Sequence, residues 1–128
     1  DHRLGTRACV RSVESIARPL SELPAVNLTA TPEIILSKLN STKFGVLVIE
    51  DNHGVGGIIT DGDYRRFLQT AQSFTMSDVM NPNPIIIDSK TVIKEIRTEF
   101  SAKNVNVIFI RKGSELTGFV HVSQVAEI

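Results

Sequence analysis

Cysteine is almost missing from this 128-residue chain, and Cys9 alone can build neither a disulfide framework nor a thiolate metal cluster. A reducing, cytoplasmic setting fits that scarcity, and a plain thiol is the default reading of Cys9 itself. An excess of charge of one sign is lacking too. With 14 Lys and Arg against 14 Asp and Glu the formal net charge is zero, which excludes a broad electrostatic footprint for nucleic acid or anionic lipid. The longest apolar runs reach about five residues, against the roughly twenty that a bilayer crossing needs. No secretory leader is recognisable. His2, His53 and His121 show no i, i+4 spacing of the kind that holds zinc on a helix. Neither a nucleophile elbow nor a Walker loop occurs, so the chain carries no catalytic constellation of its own.

What is present is an apolar fraction of 41 %, enough for a proper core, and an internal repeat. A shift of 61 positions brings Gly57 onto Gly118, Ile59 onto Val120, Val46 onto Val107 and Ile35 onto Ile96, without a gap. Each copy opens on an extended piece, Pro24-Ala25-Val26 or Pro84-Ile85-Ile86-Ile87. An amphipathic helix follows, over about Pro32 to Thr42 and about Thr91 to Lys103, with Ile35, Leu36 and Leu39 on one face and Ile93, Ile96 and Phe100 on its counterpart. Two β-rich runs come next, Val46 to Ile49 with Val55 to Ile59, and Val107 to Ile110 with Leu116 to Val120. The turn-formers between them predict hairpins, so His53-Gly54-Val55-Gly56-Gly57 is a hairpin turn rather than a phosphate loop. Closing helices start near Asp61 and Val122. About sixty residues bury too little apolar surface to stand comfortably alone. The expectation is therefore an α+β fold: two β-α-β-β-α repeats packed sheet to sheet with pseudo-two-fold symmetry and a cleft at the helix starts.

The most informative stretch is Gly57-Ile58-Ile59-Thr60-Asp61-Gly62-Asp63-Tyr64-Arg65-Arg66. Thr60 is placed to be an N-cap, accepting from the Asp63 N–H. A helix start with a hydroxyl and two nearby arginines suits a phosphate, and the Asp63 carboxylate suits ribose hydroxyls. Thr60, Asp61, Asp63, Arg65 and Arg66 are thus the candidate ligand contacts of the first copy, with His121 as that of the second. Bland alternatives stand beside each: a plain cap for Thr60 and Asp63, solvated or interface positions for the arginines, and a core or cap role for His121. Asp61 and Asp63, two apart on a helix, make a poor acid–base pair.

With Asp78-Val79-Met80-Asn81-Pro82-Asn83-Pro84 before the second copy, the duplicated Gly-x-Ile-Thr-x-x-Asp frame resembles a tandem pair of cystathionine-β-synthase (CBS) domains. More narrowly, Thr60 to Arg66 is similar to the threonine-aspartate-glycine-aspartate-x-arginine-arginine signature of the CBS pair in bacterial D-arabinose 5-phosphate isomerases. Leu4-Gly5-Thr6-Arg7 through Val10-Arg11-Ser12-Val13, Glu22 to Val26, and Gly118-Phe119-Val120-His121-Val122 agree with that subfamily. A group of sugar-phosphate nucleotidyltransferases carries a similar stretch, with the catalytic domain after the pair. Gln124 departs from the pattern by standing where a second aspartate is expected, so the second copy lacks the carboxylate that would hold a ribose.

The resemblance implies a regulatory pair attached to a sugar isomerase (SIS) catalytic domain, and a first residue other than Met suits a piece of a longer protein. The divisions expected are 1–18 as a linker from that domain, 19–70 as the first repeat, 71–81 as a connector and 82–128 as the second repeat. The parent would interconvert D-ribulose 5-phosphate and D-arabinose 5-phosphate for Kdo, lipopolysaccharide or capsule synthesis. No cofactor is required, and AMP, ATP or CMP-Kdo is the regulatory ligand implied. Homodimers through the CBS helices are implied as well, and a structural dimerisation module with vestigial pockets is the alternative.

Overall fold

The computed structural model describes residues 11–70 and 73–126. Cys9 and the Leu4 to Val10 part of the expected linker lie outside the described residues. Contacts divide the chain into two units, Ser21–Pro84 and a second made of the residues up to Leu20 together with those from Ile85 onward. Among the described residues no helix is long and apolar enough to cross a membrane.

The first unit begins with β2 (Ala25–Asn27), after the two-residue strand β1 (Arg18–Pro19) that belongs to the other unit. Helix α1 (Pro32–Asn40) starts where Thr31 Oγ1 accepts from the Ile34 N–H at 3.4 Å and Pro32 occupies the first turn, where a missing N–H costs nothing. Ile35 and Leu39 are buried one helical turn apart, but Leu36, expected on the same face, is 44 % exposed. The reason is angular. In a nine-residue helix the buried seam runs from i to i+4, and Leu36 sits about 100° round from Ile35. Strands β3 (Val46–Asp51) and β4 (Gly54–Thr60) then form an antiparallel hairpin, with β2 parallel to β3 at the edge. Helix α2 (Asp61–Thr70) and the single turn α3 (Met76–Val79) complete the unit, with Val79 buried in its core.

The second unit repeats this order with β5 (Ile86–Asp88), α4 (Ile93–Lys103), β6 (Val107–Lys112), β7 (Glu115–His121) and α5 (Val122–Ala126). Ile93, Ile96 and Phe100 are all buried, and Asn104 closes α4 in the left-handed conformation, donating its N–H to Phe100 O at 3.0 Å. The correspondence extends to irregularities. In β4 the extra residue of a β-bulge is Gly56, and in β7 it is Thr117, its equivalent under the 61-residue shift.

Each unit is finished by a segment remote from its hairpin helix in the repeat pattern. Residues 12–19 join the second unit: Val13 is wholly buried in that core, its N–H donates to Thr91 O at 2.7 Å, and Arg18 and Pro19 pair with Phe119 and Gly118. Burial of a valine side chain stabilises by about 1.5–3 kcal/mol, so this segment is part of the core rather than a tether. In the first unit Asn81 plays the role of Arg18, exchanging two backbone hydrogen bonds with Ile58 at 2.8 and 2.9 Å.

The crossings explain why both strands carry glycine. A Cβ on Gly118 would lie 2.5 Å from Arg18 O, and one on Gly57 would lie 2.9 Å from Asn81 O. Arg18 O and Asn81 O are backbone and cannot swing aside, whereas the Met80 Cε that also lies 2.7 Å from a Cβ on Gly57 can. Gly118→Ala should therefore destabilise the chain by about 1–3 kcal/mol in urea unfolding. Gly62→Ala, whose Cβ meets nothing closer than 3.6 Å in the first turn of α2, should be neutral or stabilising by up to about 1 kcal/mol.

Candidate functional site

The strand-to-helix junction of the first unit closes on itself through a reciprocal cap. Thr60 Oγ1 accepts from the Asp63 N–H at 3.1 Å, as its place in the sequence predicts, and the Thr60 N–H donates to Asp63 Oδ2 at 3.3 Å. This is a capping box with a carboxylate at the third helical position, favoured by the positive end of the helix dipole. The other carboxylate oxygen, Oδ1, accepts from the Arg66 guanidinium one turn on. Tyr64 is buried between these polar positions and donates its hydroxyl to Pro32 O at 3.2 Å, tying the start of α2 to the start of α1.

Of the five first-copy candidates, the structure gathers Thr60, Asp63 and Arg66 and leaves two apart. Asp61 turns back on the lead into β3: its N–H donates to Gly45 O at 2.9 Å, and its carboxylate rests where a Cβ on Gly45 would be. Gly45 has φ +68°, a conformation in which glycine alone is unstrained. Arg65 is exposed and joins none of the cap contacts. His121 belongs to the other unit, in the position equivalent to Thr60.

Asp63 and Arg66 also line a cavity of about 710 Å³, together with Phe67 from α2 and Asp78, Val79 and Met80 from α3 and its end. A smaller cavity of about 410 Å³ lies along β2 and α1, beside Asn27, Lys38 and Glu50, and none of the candidate residues lines it. Sequence reasoning missed the contribution of Asp78, Val79 and Met80 to this wall. Their motif was visible, but nothing local told that the segment folds back on α2. Asp63 is the useful group here. Its side chain is 19 % exposed, it is fixed by two donors, and each carboxylate oxygen keeps capacity for another.

The second copy builds the same junction from different chemistry. The His121 N–H donates to Gln124 Oε1 at 2.7 Å, so Gln124 takes the capping role of Asp63. His121 Nδ1 takes the role of the Thr60 hydroxyl, accepting from the Ser123 N–H at 3.2 Å, with Ser123 Oγ at 2.8 Å. Accepting through Nδ1 requires that nitrogen to be unprotonated. Partial burial agrees with this, holding the imidazole below its ordinary pKa of 6.5. The folded ring thus binds a proton less readily than the unfolded one. Stability present above the unfolded pKa is lost as pH falls through the folded one. Urea unfolding from pH 7 down to about pH 5 should show wild type losing more stability than His121→Asn, whose cap does not titrate.

Comparisons with known proteins bear on the fold that carries these junctions. A family profile described as CBS domain matches residues 76–128. The arabinose 5-phosphate isomerase KpsF of Escherichia coli is 29 % identical over 124 residues, covering 93 % of this chain and 37 % of KpsF. The chain thus spans just over a third of that relative's length. The CBS domain pair of protein MJ0100, solved with 5-methylthioadenosine and S-adenosyl-L-methionine, matches with TM-score 0.78 at 19 % identity, covering 92 % of this chain and 94 % of that one. A CBS-domain pair with bound AMP from Klebsiella pneumoniae matches with TM-score 0.72 at 16 % identity, covering 91 % and 96 %. Residues 76–128 thus carry a CBS domain, the same frame stands 61 residues earlier, and the chain has the fold of solved tandem CBS-domain pairs over nearly its whole length.

Proposed function

We propose that this pair is the nucleotide-responsive regulatory part of a sugar-phosphate isomerase of the D-arabinose 5-phosphate type, with its ligand taken at the Thr60 helix start. The observation that carries the reading is Asp63, fixed by the capping box and facing a cavity of about 710 Å³. A ribose diol donates to such a carboxylate. The Arg66 contact already there is an exposed ion pair, with the arginine side chain 72 % exposed, and pairs of that kind contribute only about 0–1 kcal/mol. A diol therefore displaces Arg66 at small cost, and the freed guanidinium sits one turn from the helix start, within range of the ligand's phosphate.

Similarity to KpsF supports the parent activity, with a SIS catalytic domain attached to the pair and D-ribulose 5-phosphate and D-arabinose 5-phosphate interconverted there. The AMP, 5-methylthioadenosine and S-adenosyl-L-methionine in the solved pairs support a ligand with an adenosine-type ribose, AMP or ATP, beside the pathway-specific CMP-Kdo. Control then follows from differential affinity: a ligand that binds one arrangement of the pair more tightly shifts the catalytic part by the same free energy.

A structural dimerisation module is the second reading. It is favoured by Ile34, Leu36 and Leu68, which are 46 %, 44 % and 62 % exposed on α1 and α2. Calorimetric titration of this chain with AMP, ATP and CMP-Kdo separates the two. Binding of one of them, weakened about tenfold or more in Asp63→Asn, supports the nucleotide reading. Thermal melting checks that Asn still caps. Silence with all three, with an unchanged dimer, leaves the structural module.

A further inference from the structure

Among the differences between the two helix starts, the exchange of Asp63 for Gln124 changes what the junction can hold. In the first unit Asp63 and Val79 line the same open cavity. In the second, Gln124 accepts from the His121 N–H at 2.7 Å and donates through Nε2 to Ile16 O, also at 2.7 Å. Ile16 and Val79 occupy matching places. Each lies in a turn closed by a backbone bond, Ala17 N–H to Val13 O at 2.9 Å and Met80 N–H to Met76 O at 3.0 Å. Each comes two residues before the residue that crosses the hairpin, Arg18 opposite Phe119 and Asn81 opposite Ile58.

A carboxylate only accepts, so Asp63 cannot donate to a backbone carbonyl as Gln124 does, and the cavity it shares with Val79 keeps room for a ligand that carries donors. A carboxamide both accepts and donates. We propose that Gln124 makes the second copy self-liganded: its amide stands where a ligand's donor would stand and latches residues 12–19 to the start of α5. The latch rests on the geometry of the second unit alone, and only the binding arm of its test uses the nucleotide reading. Its effect is to make the incoming segment one body with the second copy. Displacement of that segment is delivered to the Gln124 and His121 cap, and ligand is taken by the first copy only.

Amide hydrogen exchange on this chain tests it, with two variants. Gln124→Glu keeps the length and the acceptor for the His121 N–H but loses the donor, and Gln124→Met loses both bonds without adding charge. The amides of Val13, Glu14 and Ile93 cross the join, bonding to Thr91 O, Ser89 O and Arg11 O. In both variants they should exchange about tenfold faster, while Leu47 and Ile59 in the first unit's hairpin stay within about twofold. No change at the join, or an equal rise everywhere, overturns the latch. Titration of wild type with AMP should saturate at one equivalent per chain, and two equivalents would overturn it as well. Silence with AMP, ATP and CMP-Kdo alike beside a selective rise in exchange sinks the nucleotide reading and leaves the latch supported.

Discussion

A close approach of backbone to backbone, at a glycine in each case, joins each unit's crossing segment to its hairpin. Arg18 O comes so close to Gly118 that a methyl group would lie 2.5 Å from it, and Asn81 O stands over Gly57 in the same way. That closeness lets Asn81 and Ile58 exchange hydrogen bonds, and it seats Val13 and Val79 in their cores. The remainder follows from the seating. Without the segment of residues 12–19 the second unit loses a strand and a fully buried valine, and without residues 76–82 the first loses the wall that faces Asp63.

Local physics made much of this legible. The turn residues fixed both hairpins, Pro32 marked the start of α1, and the place of Thr60 before Asp63 foretold the cap hydrogen bond found at 3.1 Å. Periodicity failed at Leu36, because hydrophobicity alone cannot say how wide a buried seam a short helix needs. The pairing of residues 12–19 with the second copy was hidden for another reason. A two-residue strand has no periodicity, and its partner lies about a hundred residues away, so nothing local marked it. For Gln124 the sequence showed a lost carboxylate. The donor gained in exchange has meaning only once Ile16 is beside it.

The two junctions also show how one backbone frame supports different chemistry. Both satisfy the N–H that precedes the helix, with a carboxylate in one and a carboxamide in the other. Both present an acceptor to the first turn, a hydroxyl or an imidazole nitrogen. The frame tolerates either set because capping asks only for an acceptor in the right place. Charge, protonation state and room for a guest are what the substitutions alter, which is why a repeat of equal folds need not be a repeat of equal sites.

The crossing segments have a consequence for how the module is wired. Traced through its own contacts, the unit Ser21–Pro84 runs strand, helix, hairpin, helix and then crossing piece, in one unbroken length. The other unit has the same contents in rotated order, its crossing piece coming before the strand that begins it. The folding module is therefore a circular permutation of the motif that repeats in sequence. One half closes early in synthesis from contiguous chain, while its twin must wait for its far end to emerge.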